Sequence, residues 1–174
     1  MTAKLWLMAG LAMLAGVLAS LYLNTGVIET RQNQNAATSL DQINLLDLDG
    51  NKQSLSQWQG KVLLVNFWAT WCPPCREEIP VFLSLRKKFS SDGFEVVGIS
   101  IDDANKVKQY RRSMQIDYPL LDGEQSGMPL MVSLGSPTGG LPFSVLYDRS
   151  GDVVQIKTGA YGHQELQDLI EKLL

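Results

Sequence analysis

The only two cysteines of the chain stand three positions apart in Trp71-Cys72-Pro73-Pro74-Cys75, just downstream of the apolar run VLLVNFW at 62–68. No other feature restricts the fold as tightly. A nearly continuous apolar run of this length predicts a central strand covered on both faces. Pro73 and Pro74 cannot continue a sheet, because each lacks the backbone N–H, but their fixed φ suits the first turn of a helix. That helix is expected to run to about Phe89, with Ile79, Phe82, Leu83, Leu85 and Phe89 on its buried side. Pro80 inside it is expected to bend it, since one backbone bond is lost there.

The remaining elements follow from period and punctuation. QINLLDL (42–48) alternates loosely into Asp49-Gly50, a hairpin signal, and returns near Lys52 to Leu55. FEVVGISI (94–101) predicts a second buried strand, Asp103 to about Met114 a second helix, and Tyr118 to Leu121 a short strand. Between Asp122 and Leu141 the pattern is weakest; Pro129 and Gly135 bracket one short helix, LMVSL. FSVLYD (143–148) and VVQIKTG (153–159), joined through Arg149-Ser150-Gly151-Asp152, predict a hairpin. Leu166, Leu169, Ile170 and Leu173 recur at helical steps and predict an amphipathic C-terminal helix. Strand–helix–strand–helix followed by a hairpin and a helix implies an α/β fold, a mixed sheet flanked by helices.

The first 38 residues are a separate physical object. LWLMAGLAMLAGVLASLYL, residues 5–23, is an uncharged run of nineteen positions. As a helix it spans roughly 28 Å, close to the hydrocarbon thickness of a bilayer. It is apolar on every face, which suits a membrane span and not a soluble helix. A cleaved signal peptide is the competing reading, with small residues around Val17-Leu18-Ala19, but Leu21, Tyr22 and Leu23 carry the apolar run past that point. Lys4 before the span keeps the amino terminus in the cytoplasm and exports the rest. Residues 1–23 are therefore expected to be an N-terminal transmembrane anchor, 24–38 a polar linker, and 39–174 the exported domain.

The chemistry rests on the cysteines. Cys72 falls where free backbone N–H groups and the positive end of the helix dipole favour a thiolate. Cys75, one turn later, is near enough to close a disulfide and is expected to be more buried. The spacing thus points to Cys72 attacking a substrate disulfide and Cys75 resolving the mixed disulfide. A static staple explains the pair poorly, because so short a ring removes little unfolded-state entropy. Zinc wants four ligands, and there is no second pair. A single histidine removes most hydrolase and metal-centre mechanisms, and a net charge of −3 with a pI near 5.1 argues against a nucleic-acid groove. With 45% hydrophobic residues and two cysteines, the chain is neither disordered nor a disulfide scaffold.

GKVLLVNFWATWCPPCREEIP (60–80) resembles the thioredoxin superfamily, specifically the membrane-anchored TlpA/ResA/CcmG-like thiol–disulfide oxidoreductases of bacteria. The similarity covers about residues 39–174 and implies a thioredoxin-like fold with no cofactor beyond the cysteines. Leu141-Pro142-Phe143 matches the family's cis-proline position, so the resemblance implies a Leu141–Pro142 bond facing the disulfide, with its backbone pairing to substrate. The family usually has Thr or Val where Leu141 stands. Trp71 flanks the site and is expected to pack by the cysteines or touch substrate. Thioredoxin has a buried aspartate six positions before its first cysteine; here Asn66 stands there, which cannot accept a proton and is expected to be a hydrogen-bonded polar group below the site. The ResA-like branch has an acid matching Glu78, three residues after Cys75, which suggests a proton acceptor for Cys75. The alternative is that Glu78, like Glu77, merely offsets the helix dipole.

Direction follows from charge. DsbA, a strong oxidant, has a histidine between its cysteines, where this chain has Pro73 and Pro74. Glu77 and Glu78 disfavour a thiolate and Arg76 partly opposes them, so a reductant with a moderately acidic Cys72 is expected. The resemblance implies disulfide-containing exported substrates, apocytochromes c among them, and recharging by a membrane thiol transporter of the DsbD/CcdA type. It implies attachment to the bacterial inner membrane, with the domain facing the periplasm or cell exterior. A copper-carrying module using the same cysteines, with Met128 and Met131, is the alternative, although a short buried helix also accounts for those methionines. Peroxidase chemistry fits less well, since Ala69 stands where a threonine is expected. His163 is expected to cap or decorate the last helix.

Overall fold

The structure, a computed structural model, describes residues 39–136 and 138–174. The expected anchor (1–23), the linker (24–38) and Pro137 lie outside the described residues. Among the described residues no helix is long and apolar enough to cross a membrane.

The elements run β1 (Asn44–Asp47), β2 (Lys52–Ser54), β3 (Val62–Trp68), α1 (Pro73–Phe89), β4 (Phe94–Ser100) and α2 (Ala104–Met114). They continue with β5 (Leu120–Asp122), α3 (Gly127–Ser133), β6 (Phe143–Tyr147), β7 (Val153–Thr158) and α4 (His163–Leu173). One seven-stranded mixed sheet holds them in the order β2-β1-β5-β4-β3-β6-β7. β3, β4 and β5 are parallel neighbours, and the other pairs are antiparallel. All seven residues of β3 and of β4 are buried, as the unbroken apolar runs predict. The crossovers through α1 and α2 step the same way across the sheet, so their right-handed sense puts both helices on one face.

Strand alternation divides the core in two. Val62, Leu64, Trp68 and Val96 meet Phe82 and Leu85 of α1, Val107 of α2, and Leu166 and Ile170 of α4. On the other face Leu63, Val65, Phe67, Val97 and Ile99 meet Met131 and Leu134, together with Leu40, Ile43, Leu55 and Trp58 from short 3₁₀ turns. α1 runs through Pro80 without a break, and its far end is tied to the sheet by Arg86, whose Nε lies 2.5 Å from Oε1 of Glu95 on β4.

Both hairpins turn on the same device. Asp47 Oδ1 accepts the N–H groups of Asp49 and Asn51 at 2.9 Å each, and Asp148 Oδ1 accepts those of Ser150 and Asp152 at 2.9 and 3.0 Å. Each turn closes through a glycine at positive φ, Gly50 at 87° and Gly151 at 86°.

Several boundaries differ from the expectation. Residues Leu40–Gln42 are a 3₁₀ turn, so β1 is shorter than 42–48, and β5 sits at Leu120–Asp122 instead of 118–121. α3 begins at Gly127, which puts Pro129 within the first turn and not at its start. The reason is steric: a Cβ at Gly127 would lie 2.6 Å from Ile101 Cγ2, so only a glycine lets the helix begin against that side chain. His163 opens α4 as expected but caps nothing; Gly162 is the N-cap, and its N–H is accepted by Glu165 Oε2 at 3.4 Å.

Candidate active site

β3 ends at Trp68, and the chain turns through Ala69–Trp71 into α1. Cys72 is the N-cap of that helix, in extended backbone at φ −91° and ψ 107°, with Pro73 and Pro74 as the first two helical residues. Its Sγ accepts the Cys75 N–H at 3.4 Å, one of the orphan donors of the helix start. The two cysteines form a disulfide with Cα atoms 5.3 Å apart. Cys72 keeps 4% exposure and Cys75 none, the order of access expected for an attacking and a resolving sulfur.

One turn further along, Glu78 is sealed in the core at 1% exposure, whereas Glu77 is exposed. Asn66 Nδ2 donates to Glu78 Oε1 at 2.7 Å and to Ser144 Oγ at 3.0 Å, and the Tyr161 N–H donates to Glu78 Oε2 at 3.3 Å. Burial pushes the Glu78 carboxyl up to about 7, while the bonds from Asn66 and Tyr161 and the charge of Lys157 pull it back. A carboxyl poised there exchanges its proton near neutral pH. Offsetting the helix dipole is a surface role, and Glu78 is not on the surface. Asn66 is the hydrogen-bonded polar group that was expected beneath the cysteines.

The Leu141–Pro142 bond is cis, the one such bond among the described residues. Phe143, the next residue, pairs with Phe67 of β3, so this loop sits at the same end of the sheet as Cys72. Leu141 packs against the core cluster that contains both cysteines. The Pro142 carbonyl accepts the Gly159 N–H at 2.8 Å. Trp71 is 63% exposed, so it stands out beside the disulfide and is not packed over it.

Asp102 is a residue that sequence reasoning missed. It is buried at the carboxyl end of β4, and its Oδ2 accepts both the N–H, at 3.2 Å, and the hydroxyl of Thr70. It therefore clamps the loop that presents Trp71 and Cys72. The available signal was an acidic residue just beyond a strand that lies parallel to β3, where the turn into α1 leaves donors unpaired. Ser144, Tyr161 and Lys157 were missed too, because sheet register sets Ser144 and Lys157 in line with Asn66, and the chain after β7 brings the Tyr161 N–H to Glu78.

The methionines do not assemble with the cysteines. Met131 is fully buried in the core on the opposite face of the sheet, and Met128 is exposed. Among the described residues, no three of His, Cys, Asp and Glu converge as a metal site.

The AhpC/TSA family profile matches residues 36–164. The thiol–disulfide oxidoreductase ResA of Bacillus thuringiensis is 30% identical over 128 residues, covering 73% of this chain and 72% of that protein. ResA of Bacillus subtilis is 31% identical over 126 residues, covering 71% and 68%. Among solved structures, a thioredoxin-family thiol:disulfide interchange protein from Chlorobium tepidum superposes with a TM-score of 0.70 at 30% identity, over 78% of this chain and 95% of that one. Profile, relatives and fold agree, and the chain belongs to the AhpC/TSA family, as a thioredoxin-fold thiol–disulfide oxidoreductase of the ResA type.

Proposed function

We propose that the protein reduces disulfides of exported proteins while tethered to the bacterial inner membrane, its catalytic domain facing the periplasm or cell exterior. The Cys72 thiolate attacks a substrate disulfide, one substrate sulfur leaves and takes a proton from water, and a mixed disulfide forms. Cys75 then gives its proton to the Glu78 carboxylate and attacks Cys72 Sγ. The Cys72–Cys75 bond closes, the second substrate sulfur departs, and two electrons have passed to the substrate. Trp71 and the backbone at Leu141–Pro142 hold the substrate chain. A membrane thiol transporter of the DsbD/CcdA type restores the dithiol, and apocytochromes c are among the substrates.

The observation that carries this reading is the pairing of a sulfur that keeps slight access with a fully sealed one, a single turn from a buried carboxyl. The reducing direction is supported by Pro73 and Pro74 between the cysteines, where no cation stabilises a strongly acidic thiolate. Membrane attachment is supported by the uncharged run 5–23.

Insulin-disulfide reduction by Cys72→Ser and Cys75→Ser variants tests the chemistry. Both are expected to fall to background, and retained turnover in Cys72→Ser overturns the mechanism. A reduction potential as oxidising as DsbA's, roughly −120 mV, overturns the direction. Trapping with Cys75→Ser in cells, followed by identification of the captured proteins, tests the substrate class. A reporter fused after residue 174 that is active only outside the cytoplasm tests the orientation.

A further inference from the structure

Asn66, Ser144 and Lys157 stand abreast on three adjacent strands. Asn66 of β3 is opposite Ser144 of β6, and Ser144 is opposite Lys157 of β7. All three point to the face covered by α1 and α4, which is otherwise lined by Val62, Leu64, Trp68 and Leu146. An amide, a hydroxyl and an ammonium in one row across an apolar face cost desolvation, so they call for a partner. Glu78 is that partner at the inner end, held by Asn66 at 2.7 Å.

The outer end is an ion pair. Lys157 Nζ donates to Glu165 Oε1 of α4 at 2.7 Å and lies 5.1 Å from the centroid of the Tyr161 ring. Tyr161 thus touches both ends, its N–H bonded to Glu78 and its ring against the ammonium. The other titratable groups facing Glu78 are Cys75 on its own helix, Tyr118 ahead of β5, and the Tyr161 phenol. Both phenols are buried and pushed well above their ordinary range, so they stay neutral at physiological pH. Of these groups, Lys157 and Glu165 are the ones that carry charge.

We propose that Lys157 and Glu165 are positioning residues that set the pH at which Glu78 releases the proton taken from Cys75. The inference rests on Glu78 being that acceptor. Lys157 favours the carboxylate across the buried row, and Glu165, holding the ammonium at the surface, tempers it. Each turnover moves one proton from Cys75 Sγ to Glu78 as the Cys72–Cys75 bond forms, and then from Glu78 to solvent. Losing the ammonium keeps the carboxyl protonated to higher pH and starves the resolving step of its base. Neutralising Glu165 leaves the ammonium untempered and has the opposite effect.

The test titrates the carbon-13-labelled Glu78 carboxyl in the full-length chain in detergent and, separately, measures resolution of a Cys72 mixed disulfide against pH. Lys157→Met is expected to raise both midpoints by roughly half a pH unit or more, Glu165→Gln to lower them, and Lys157→Arg to restore the wild-type values. A purely structural role would not move the midpoints in opposite directions. Midpoints that stay put in Lys157→Met, or that move the same way in Lys157→Met and Glu165→Gln, overturn the inference. Glu78→Gln is the separate control. If the resolution profile ignores it, the acceptor reading fails, whatever the carboxyl titration shows for Lys157.

Discussion

Glu78 carries its proton more tightly in the folded chain than in an unfolded one, because water no longer solvates its charge. Its folded midpoint near 7 lies above the ordinary 4.5, so its contribution to stability is fully present below about pH 4.5 and is lost as pH rises through about 7. Glu78→Gln removes that loss. Between pH 4 and 8 the stability difference is expected to move in favour of the variant by on the order of 3 kcal/mol, read from urea unfolding at each pH, while disulfide turnover falls. Asp102 acts on the other side of the disulfide. Asp102→Ala strips two bonds from Thr70 and leaves its half-buried N–H without that partner, at a cost of about 1 kcal/mol. The loosened Trp71 loop is expected to raise KM for a peptide disulfide more than it lowers kcat.

The elements explain why so few residues suffice. β3 delivers Cys72 to the helix mouth because the strand stops at Trp68 and, after a short turn, Pro73 and Pro74 open α1 directly behind the cysteine. β4 lies against it in register, Asn66 beside Gly98, and here the backbone itself needs room. A Cβ at Gly98 would lie 2.6 Å from Leu120 Cδ2, 3.1 Å from Trp68 Nε1 and 3.2 Å from Tyr118 Cε2. The leucine tip can move, but two buried rings cannot. Gly98→Ala is therefore expected to destabilise the fold by about 1–3 kcal/mol, seen as a lower urea midpoint with an unchanged slope.

Across the whole molecule, the site is drawn from widely separated stretches of chain that meet on the helix-covered face of the sheet. Asn66, Glu78, Ser144 and Tyr161 form one hydrogen-bonded unit spanning β3, α1, β6 and the approach to α4. Because they share partners, Asn66→Ala and Ser144→Ala are expected to be non-additive, with a coupling of about 0.5–3 kcal/mol in a double-mutant cycle followed by urea unfolding. The cysteine pair, the strand before it, the helix after it and the closing hairpin were legible in the chain because each is local. Apolar runs and prolines act on their own neighbours within a turn or a strand's length. The short helix between Asp122 and Leu141 was the hardest to place, since its start depends on Gly127 fitting against Ile101. Sequence alone established a sulfur pair at a strand-to-helix junction, an α/β sheet to carry it, and Glu78 on the Cys75 side of the helix. Tertiary structure alone decided that Glu78 is sealed from water, that Asp102 clamps the loop and that Lys157, on the outermost strand, lies in line with Asn66 and against Tyr161, because burial and strand register arise between segments distant in the chain, where no local pattern records them.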